Sequence, residues 1–303
     1  MRLLVTGITG LLGVNLAWEA LAAGHEVVGV ARQALPRAPF RALQADLARA
    51  GAADEVWRVA QPDAVVHTAA LTHVDACDQQ PDLAERLNVH LPAELAALAA
   101  REGVPFVHIS TDAVFDGRRG DYTEDDPPRP LNTYARTKLA GEHAVQTAYP
   151  DALVARVNFF GWSLSGKRSL AEWFLMRLRQ GEPSPGFTDV HFCPLLANHL
   201  AQVLLEALAR GLHGLYHFTG RACVSKYTFG VALARRFGLP AALVRPASVN
   251  EVPLTAPRPR RLTLRSDKLA AALGHSLPDW EAGLDAFYTL ERRGYPERIR
   301  GWQ

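Results

Sequence analysis

The chain opens on "RLLVTGITGLLG", an apolar run that ends in three glycines spaced three apart, Gly7, Gly10 and Gly13. The run reads as a buried strand over 2–6, and the pattern that follows reads as a helix over 11–23. A strand that becomes a helix within so few residues needs glycine at fixed places. Gly7 permits the tight turn, Gly10 lets backbone approach a pyrophosphate, and Gly13 allows the helix to pack closely on the strand. The helix start adds unpaired N–H groups that suit the same anion. The stretch therefore predicts a dinucleotide site built from Gly7, Thr9, Gly10, Leu11, Leu12 and Gly13.

Apolar runs alternate with helical patterns through the first half, which predicts strands at 2–6, 26–31, 64–68, 105–110 and 153–157. Helices are expected near 11–23, 51–60, 82–101 and 133–148. This alternation predicts an α/β, Rossmann-type doubly wound parallel sheet, with ligands at the carboxyl ends of its strands. After residue 160 the pattern loosens, with helices near 196–210, 225–237, 266–273 and 279–292 and a short strand near 215–220. We expect residues 1–159 and 188–218 to form the dinucleotide-binding domain. Residues 160–187 and 219–303 would form a smaller, interleaved C-terminal substrate lobe.

Cofactor choice should be written at the end of the second strand, where an acid would hold the ribose hydroxyls of NAD. Here Ala31 takes that place and Arg32 follows, so a 2′-phosphate meets a cation and NADP is expected, with NAD as the other coenzyme to test. Asp46 either accepts from the adenine amino group, with Leu47 beside it, or caps the next turn.

"NTYARTKLAGE" carries Tyr134 and Lys138 four residues apart, on one face of a helix. Lysine occurs at only four positions in the chain. A phenol has pKa of about 10, and an ammonium roughly 6 Å away favours the phenolate by about 3 kcal/mol, or about 2 pKa units. The pair therefore reads as one acid brought into working range. Ser110 and Thr111, at the end of the preceding strand, each offer a hydroxyl to a substrate oxygen.

At 303 residues, 48% hydrophobic and 21% charged, the chain has ample material for a core, and its net charge of +2 leaves no basic stripe for nucleic acid. "PRPRR" (257–261) is the densest basic spot and reads as a local anion site. Cys77, Cys193 and Cys223 are too few for a disulfide framework and read as buried thiols, hence a reducing, cytoplasmic setting. Asn15 and Glu19 break any signal-peptide reading of the N-terminus, and no window offers the roughly 20 apolar residues of a membrane helix. His67, His108 and His217 fall in apolar strands and read as satisfied core imidazoles, and no metal spacing is seen.

Together, "TGITGLLG", "HTAALTHVDACD", "STDAVFDG", "YARTKLAGE" and "APRPRRLTL" make the chain resemble the extended short-chain dehydrogenases/reductases, and among them the dTDP-4-dehydrorhamnose reductases, over nearly its whole length. The resemblance implies an NADPH-dependent reductase of a 4-keto nucleotide sugar, with Thr111, Tyr134 and Lys138 as its triad. By the same match Ala69 and Ala70 line the cofactor, Val74, Asp112 and Asn158 lie near the sugar, and Arg258 faces the diphosphate. It also implies a homodimer. Ala113 stands where the family usually has tyrosine, and Asn158 where it often has tryptophan. An epimerase or dehydratase of the same fold, and a non-catalytic NADP-binding regulatory subunit, are the rival readings.

Overall fold

The computed structural model describes residues 1–251 and 259–303. In chain order the first half contains β1 (Arg2–Thr6), α1 (Leu11–Ala22), β2 (Glu26–Ala31), β3 (Arg41–Gln44), α2 (Ala52–Ala60) and β4 (Ala64–His67). Then come α3 (Val74–Gln79), α4 (Pro81–Glu85), α5 (Leu91–Glu102), β5 (Phe106–Thr111), α6 (Thr133–Ala148) and β6 (Leu153–Val157). Among the described residues β1 to β6 join β11 (Gly214–Phe218) in a parallel seven-stranded sheet of order β11-β6-β5-β4-β1-β2-β3. This is the doubly wound sheet expected from the alternation.

Side-chain alternation along each strand divides the core. Leu3, Val5, Val66 and Val107 face one layer together with α1, whereas Leu4, Val28, Val30 and Val65 face the other, with α2 and α5. The strand β3 was not anticipated, because "RALQ" has no apolar alternation and lies largely exposed at the sheet edge. The expected helix over 82–101 is interrupted by a single π-turn at Arg86–His90 between α4 and α5. Such turns are frequent at functional sites.

The second half is made of short pieces: β7 (Phe159–Phe160), α7 (Leu170–Arg179), β8 (Ser184–Phe187), β9 (His191–Phe192), β10 (Leu195–Leu196) and α8 (Ala197–Ala209). After β11 follow β12 (Val224–Ser225), α9 (Lys226–Arg236), β13 (Val244–Ala247), β14 (Arg261–Leu262), α10 (Asp267–Leu273), α11 (Trp280–Arg292) and α12 (Tyr295–Arg300). The helix α7 went unread although Ser169 and Glu172 form a complete capping box at its start. Asn15, inside α1, accepts from the Tyr295 hydroxyl and donates to the Trp162 carbonyl, so the late elements are stitched onto the first helix. Among the described residues no helix is long and apolar enough to cross a membrane.

The reading of three buried thiols holds only for Cys77. Cys193 and Cys223 form a disulfide, and Cys223 is exposed. Phe192 pairs with Val224 in the antiparallel ladder of β9 and β12, which puts the next residue of one strand opposite the preceding residue of the other. A separation of 30 in sequence gave no sign of that adjacency. The inference of a reducing compartment loses its basis with it.

Candidate active site

The glycine loop closes as its spacing requires. Gly7 has φ of +68°, and a Cβ there would meet the Ala69 backbone at 2.8 Å, while one on Gly13 would meet the Gly7 carbonyl at 2.4 Å. Gly10 is the N-cap of α1 without a side-chain cap, so the first-turn amides face outward. Thr9, Gly10 and Leu11 keep open surface there, while Leu12 buries its side chain in the core and leaves only its backbone to a ligand. Beside them lies a cavity of about 220 Å³ lined by Ile8, Ala31, Gln33 to Pro36 and Ala42 to Gln44. Arg32 is exposed at its rim. The narrow glycine cradle, the open helix start and an apolar recess flanked by a guanidinium fit a dinucleotide. Asp46 accepts from the Ala48 amide at 3.0 Å, the turn-capping alternative, and Leu47 is buried.

Tyr134 and Lys138 sit in α6, whose N-cap Asn132 accepts from the Ala135 amide at 2.9 Å. The helix settles close on the sheet because residue 141 is glycine: a Cβ there would meet the Asn88 carbonyl at 2.1 Å. Asn88, in the π-turn, donates to the Leu71 carbonyl and to Thr137, and accepts from the Leu71 amide, fixing the loop that carries Ala69 and Ala70 against α6. Val74 is half-buried at the start of α3, which packs on the same helix. No motif pointed to Asn88. Only the helix break around it, invisible in periodicity, marks it.

Ser110 and Thr111 point to opposite faces of β5. Ser110 donates to Glu142, which is also held by Arg156 at 2.7 Å in a fully buried pair. Thr111 lies beside the Tyr134 hydroxyl and donates to Asp112 at 3.1 Å, so it is the hydroxyl on the cleft side. Lys138 Nζ donates to the Ile109 carbonyl at 2.7 Å and lies 3.3 Å from His108 Nε2.

Tyr134 departs from expectation. Its ring keeps some surface open, yet burial pushes the phenol up to about 12, with the neighbouring Thr111 hydroxyl opposing and Asp112 adding to the rise. The expected lowering by Lys138 does not occur. Burial brings Lys138 itself down to about 8, against the pull of Glu142. Burial also lifts the Asp112 carboxyl to about 6, although Asn158, Thr111 and the Lys226 charge all favour its ionised form. Asn158 donates to Asp112, so these two substrate candidates form one unit. Lys226, at the start of α9, is a charge acting on Asp112 that the motifs did not reveal. Arg258 lies outside the described residues. Next to it in sequence, Pro259, Arg260 and Arg261 join Asp116, Gly117, Arg118, Asp189 and His191 around a cavity of about 500 Å³.

The core histidines are only half satisfied. His67 Nδ1 meets Thr6 at 2.8 Å, and His217 Nδ1 meets the Arg265 carbonyl at 3.1 Å. The second ring nitrogen of each, and Nδ1 of His108, is buried without a partner. Cys77 donates to the Leu71 carbonyl near Tyr134, and burial pushes its thiol up to about 11, so it stays protonated.

Residues 1–292 match the family described as RmlD substrate binding domain. The probable low-salt glycan biosynthesis reductase Agl14 of Haloferax volcanii is 34% identical over 94% of this chain and 97% of its own length. Methionine adenosyltransferase 2 subunit beta of Danio rerio is 32% identical over 88% and 84%. Among solved structures, a dTDP-4-dehydrorhamnose reductase of Clostridium acetobutylicum superposes with a TM-score of 0.84 at 26% identity, covering 96% of this chain and all of that one. A glycine cradle at β1, a Thr-Tyr-Lys cluster on β5 and α6, and a match across almost the full length agree: the chain belongs to the RmlD substrate-binding-domain family of extended short-chain dehydrogenases/reductases.

Proposed function

We propose that this protein reduces a 4-keto nucleotide sugar with NADPH, Tyr134 giving the proton. As a member of its family the chain is an NAD(P)-dependent oxidoreductase acting on a carbonyl or its alcohol. The observation that carries the finer reading is Thr111 beside the Tyr134 hydroxyl with Lys138 anchored one turn further along the same helix. When bound, the reduced nicotinamide supplies a hydride to the ketone carbon. Thr111 and Tyr134 hold the carbonyl oxygen between them, and Tyr134 protonates that oxygen as it becomes an alkoxide. Burial holds the proton on the phenol, so Tyr134 has it to give to that alkoxide. Lys138 has a donor left for the nicotinamide ribose, and Arg32 meets the 2′-phosphate. Asp112, steadied by Asn158, accepts from sugar hydroxyls, with Val74 across the cleft and Arg258 assigned to the diphosphate.

In this reading residues 1–159 and 188–218 hold the dinucleotide, and 160–187 with 219–303 hold the sugar, in a homodimer that sedimentation would reveal. The test is a screen of keto-sugar nucleotides with NADPH and NADH. Replacing Tyr134 by Phe should lower kcat by about 10³-fold while NADPH affinity stays within about threefold. Turnover that survives the substitution removes Tyr134 from the mechanism. The methionine adenosyltransferase subunit among the relatives supports a second reading, a regulatory role without chemistry. Stoichiometric capture of one enzyme partner, with no reduction of any keto sugar, would select it. A dehydratase would need a second carboxylate after Asp112, where this chain has Ala113.

A further inference from the structure

Lys138 is 3% exposed, and among the described residues no carboxylate lies within salt-bridge distance of its ammonium. Glu142, one turn along α6, spends its oxygens on Ser110 and Arg156. The ammonium is held instead by two neutral acceptors, the Ile109 carbonyl at 2.7 Å and His108 Nε2 at 3.3 Å. The first is fixed by the strand and would be there with any side chain. The second depends on one residue.

His108 is fully buried, and accepting at Nε2 requires the neutral ring with its proton on Nδ1. That Nδ1 has no partner. A histidine here therefore leaves a buried donor unmade, beside a cation, on a strand position that would suit an apolar residue. As packing alone it is a poor choice. Its ring stacks on His67 at 5.6 Å, with 14° between planes, and His67 in turn bonds Thr6, whose hydroxyl accepts from the Ala69 amide.

We propose that His108 is a positioning residue that aims the Lys138 ammonium at the coenzyme. By accepting one of three donors it fixes the rotation of the group, so that with Ile109 taking the second, the third projects toward the ribose. His67 holds the ring in place from β4 and links it to the glycine-loop side of the cleft. This rests on the reading of Lys138 as a coenzyme-binding residue.

The test compares His108→Leu with His108→Gln, whose side-chain oxygen restores an acceptor at nearly the same reach. In the Leu variant NADPH should bind about tenfold more weakly and kcat should fall, with KM for the sugar unchanged, whereas Gln should recover affinity to within about threefold. The melting temperature of the Leu variant should stay within about 4 °C of wild type. With four lysines in the chain, labelling lysine with carbon-13 at the ε position gives a separate signal for Lys138 in the coenzyme-free protein. The groups facing that ammonium are Glu142 on its own helix, the Ile109 carbonyl and His108 on β5, and His67 behind them on β4. Its titration should move to lower pH in the Leu variant and return in the Gln variant. Leu protein that binds NADPH like wild type, with the Lys138 signal unmoved, overturns the proposal, as does failure of Gln to restore either quantity at wild-type melting temperature. Because the lysine signal needs neither coenzyme nor turnover, absence of keto-sugar reduction in the wild type would count against the function reading and leave this test intact.

Discussion

Two links tie together elements far apart in sequence, and they do so by different means. Under the seven-stranded sheet, Glu142 of α6 grips Arg156 of β6 and Ser110 of β5 with noncovalent bonds alone, every group buried. In the later lobe, where β9 and β12 are two residues long, a disulfide from Cys193 to Cys223 makes the tie. Long ladders bury enough apolar surface around an ion pair to fix its geometry. Two-residue strands cannot, and a covalent link supplies the order instead. The residues proposed for proton and hydride transfer stand on the first region, and those that meet the sugar stand where the two regions face each other.

The largest effect should come from breaking the buried pair. Glu142→Gln leaves the buried Arg156 charge without its counter-charge, facing the Phe115 ring at 5.1 Å and the neutral His217. The expected loss of folding stability is about 3 to 5 kcal/mol, read by denaturant titration. The exposed pair of Arg265 and Asp267 is the control, since Asp267→Asn should cost under about 1 kcal/mol. Equal losses in the two would mean that burial of the Glu142 pair confers nothing special.

Next comes the disulfide. A loop of 30 residues corresponds to about 3.6 kcal/mol of chain-entropy stabilisation, so Cys193→Ser, or mild reduction, should lower stability by roughly that amount. The kinetic signature should be regional. KM for the sugar should rise, because α9 with Lys226 begins two residues after the Val224 pair, while NADPH affinity should hold within about twofold. Weakened NADPH binding would show that the lobe tie also supports the sheet.

The pH profile separates the regions by their titrating groups. Asp112, near 6, takes up a proton as pH falls and stops accepting from sugar hydroxyls, so KM for the sugar should climb about tenfold per unit below that point. Lys138, near 8, loses its charge as pH rises, so NADPH binding should weaken on the alkaline side. Limbs that appear in the opposite constants would exchange the two assignments.

These regions also differ in how much the sequence discloses. The glycine loop, the strands β1, β2, β4, β5 and β6 and the Tyr134–Lys138 spacing all follow from local pattern, because each depends on residues within a turn or two of one another. The Thr111 contact needed only the rule that strand ends share an edge. What stayed hidden depends on pairing across the chain: Cys193 with Cys223, Asn158 with Asp112, Asn88 with Thr137. His108 was legible as a buried histidine, but its neighbour Lys138 is 30 residues away on another element. The Tyr134 expectation failed for a related reason. Spacing gives the distance between two groups on a helix and says nothing of the burial that outweighs their attraction.

The smallest expected effect tests the far end of the sheet region. Arg32 is exposed at the rim of the recess lined by Ala31 and Gln44, and its own carbonyl accepts from Gln44 at 3.1 Å, so the backbone there is fixed while the guanidinium is free to meet a ligand. An exposed cation on a phosphate is worth about 1.4 kcal/mol, or tenfold. Arg32→Ala should therefore raise KM for NADPH about tenfold and leave NADH, Tyr134 chemistry and the sugar constants unchanged. If NADPH and NADH weaken together, the residue supports the loop and not the 2′-phosphate. If neither changes, discrimination between the coenzymes must come from the walls of the recess itself, and the acid missing at Ala31 would then be the whole of the signal at that position.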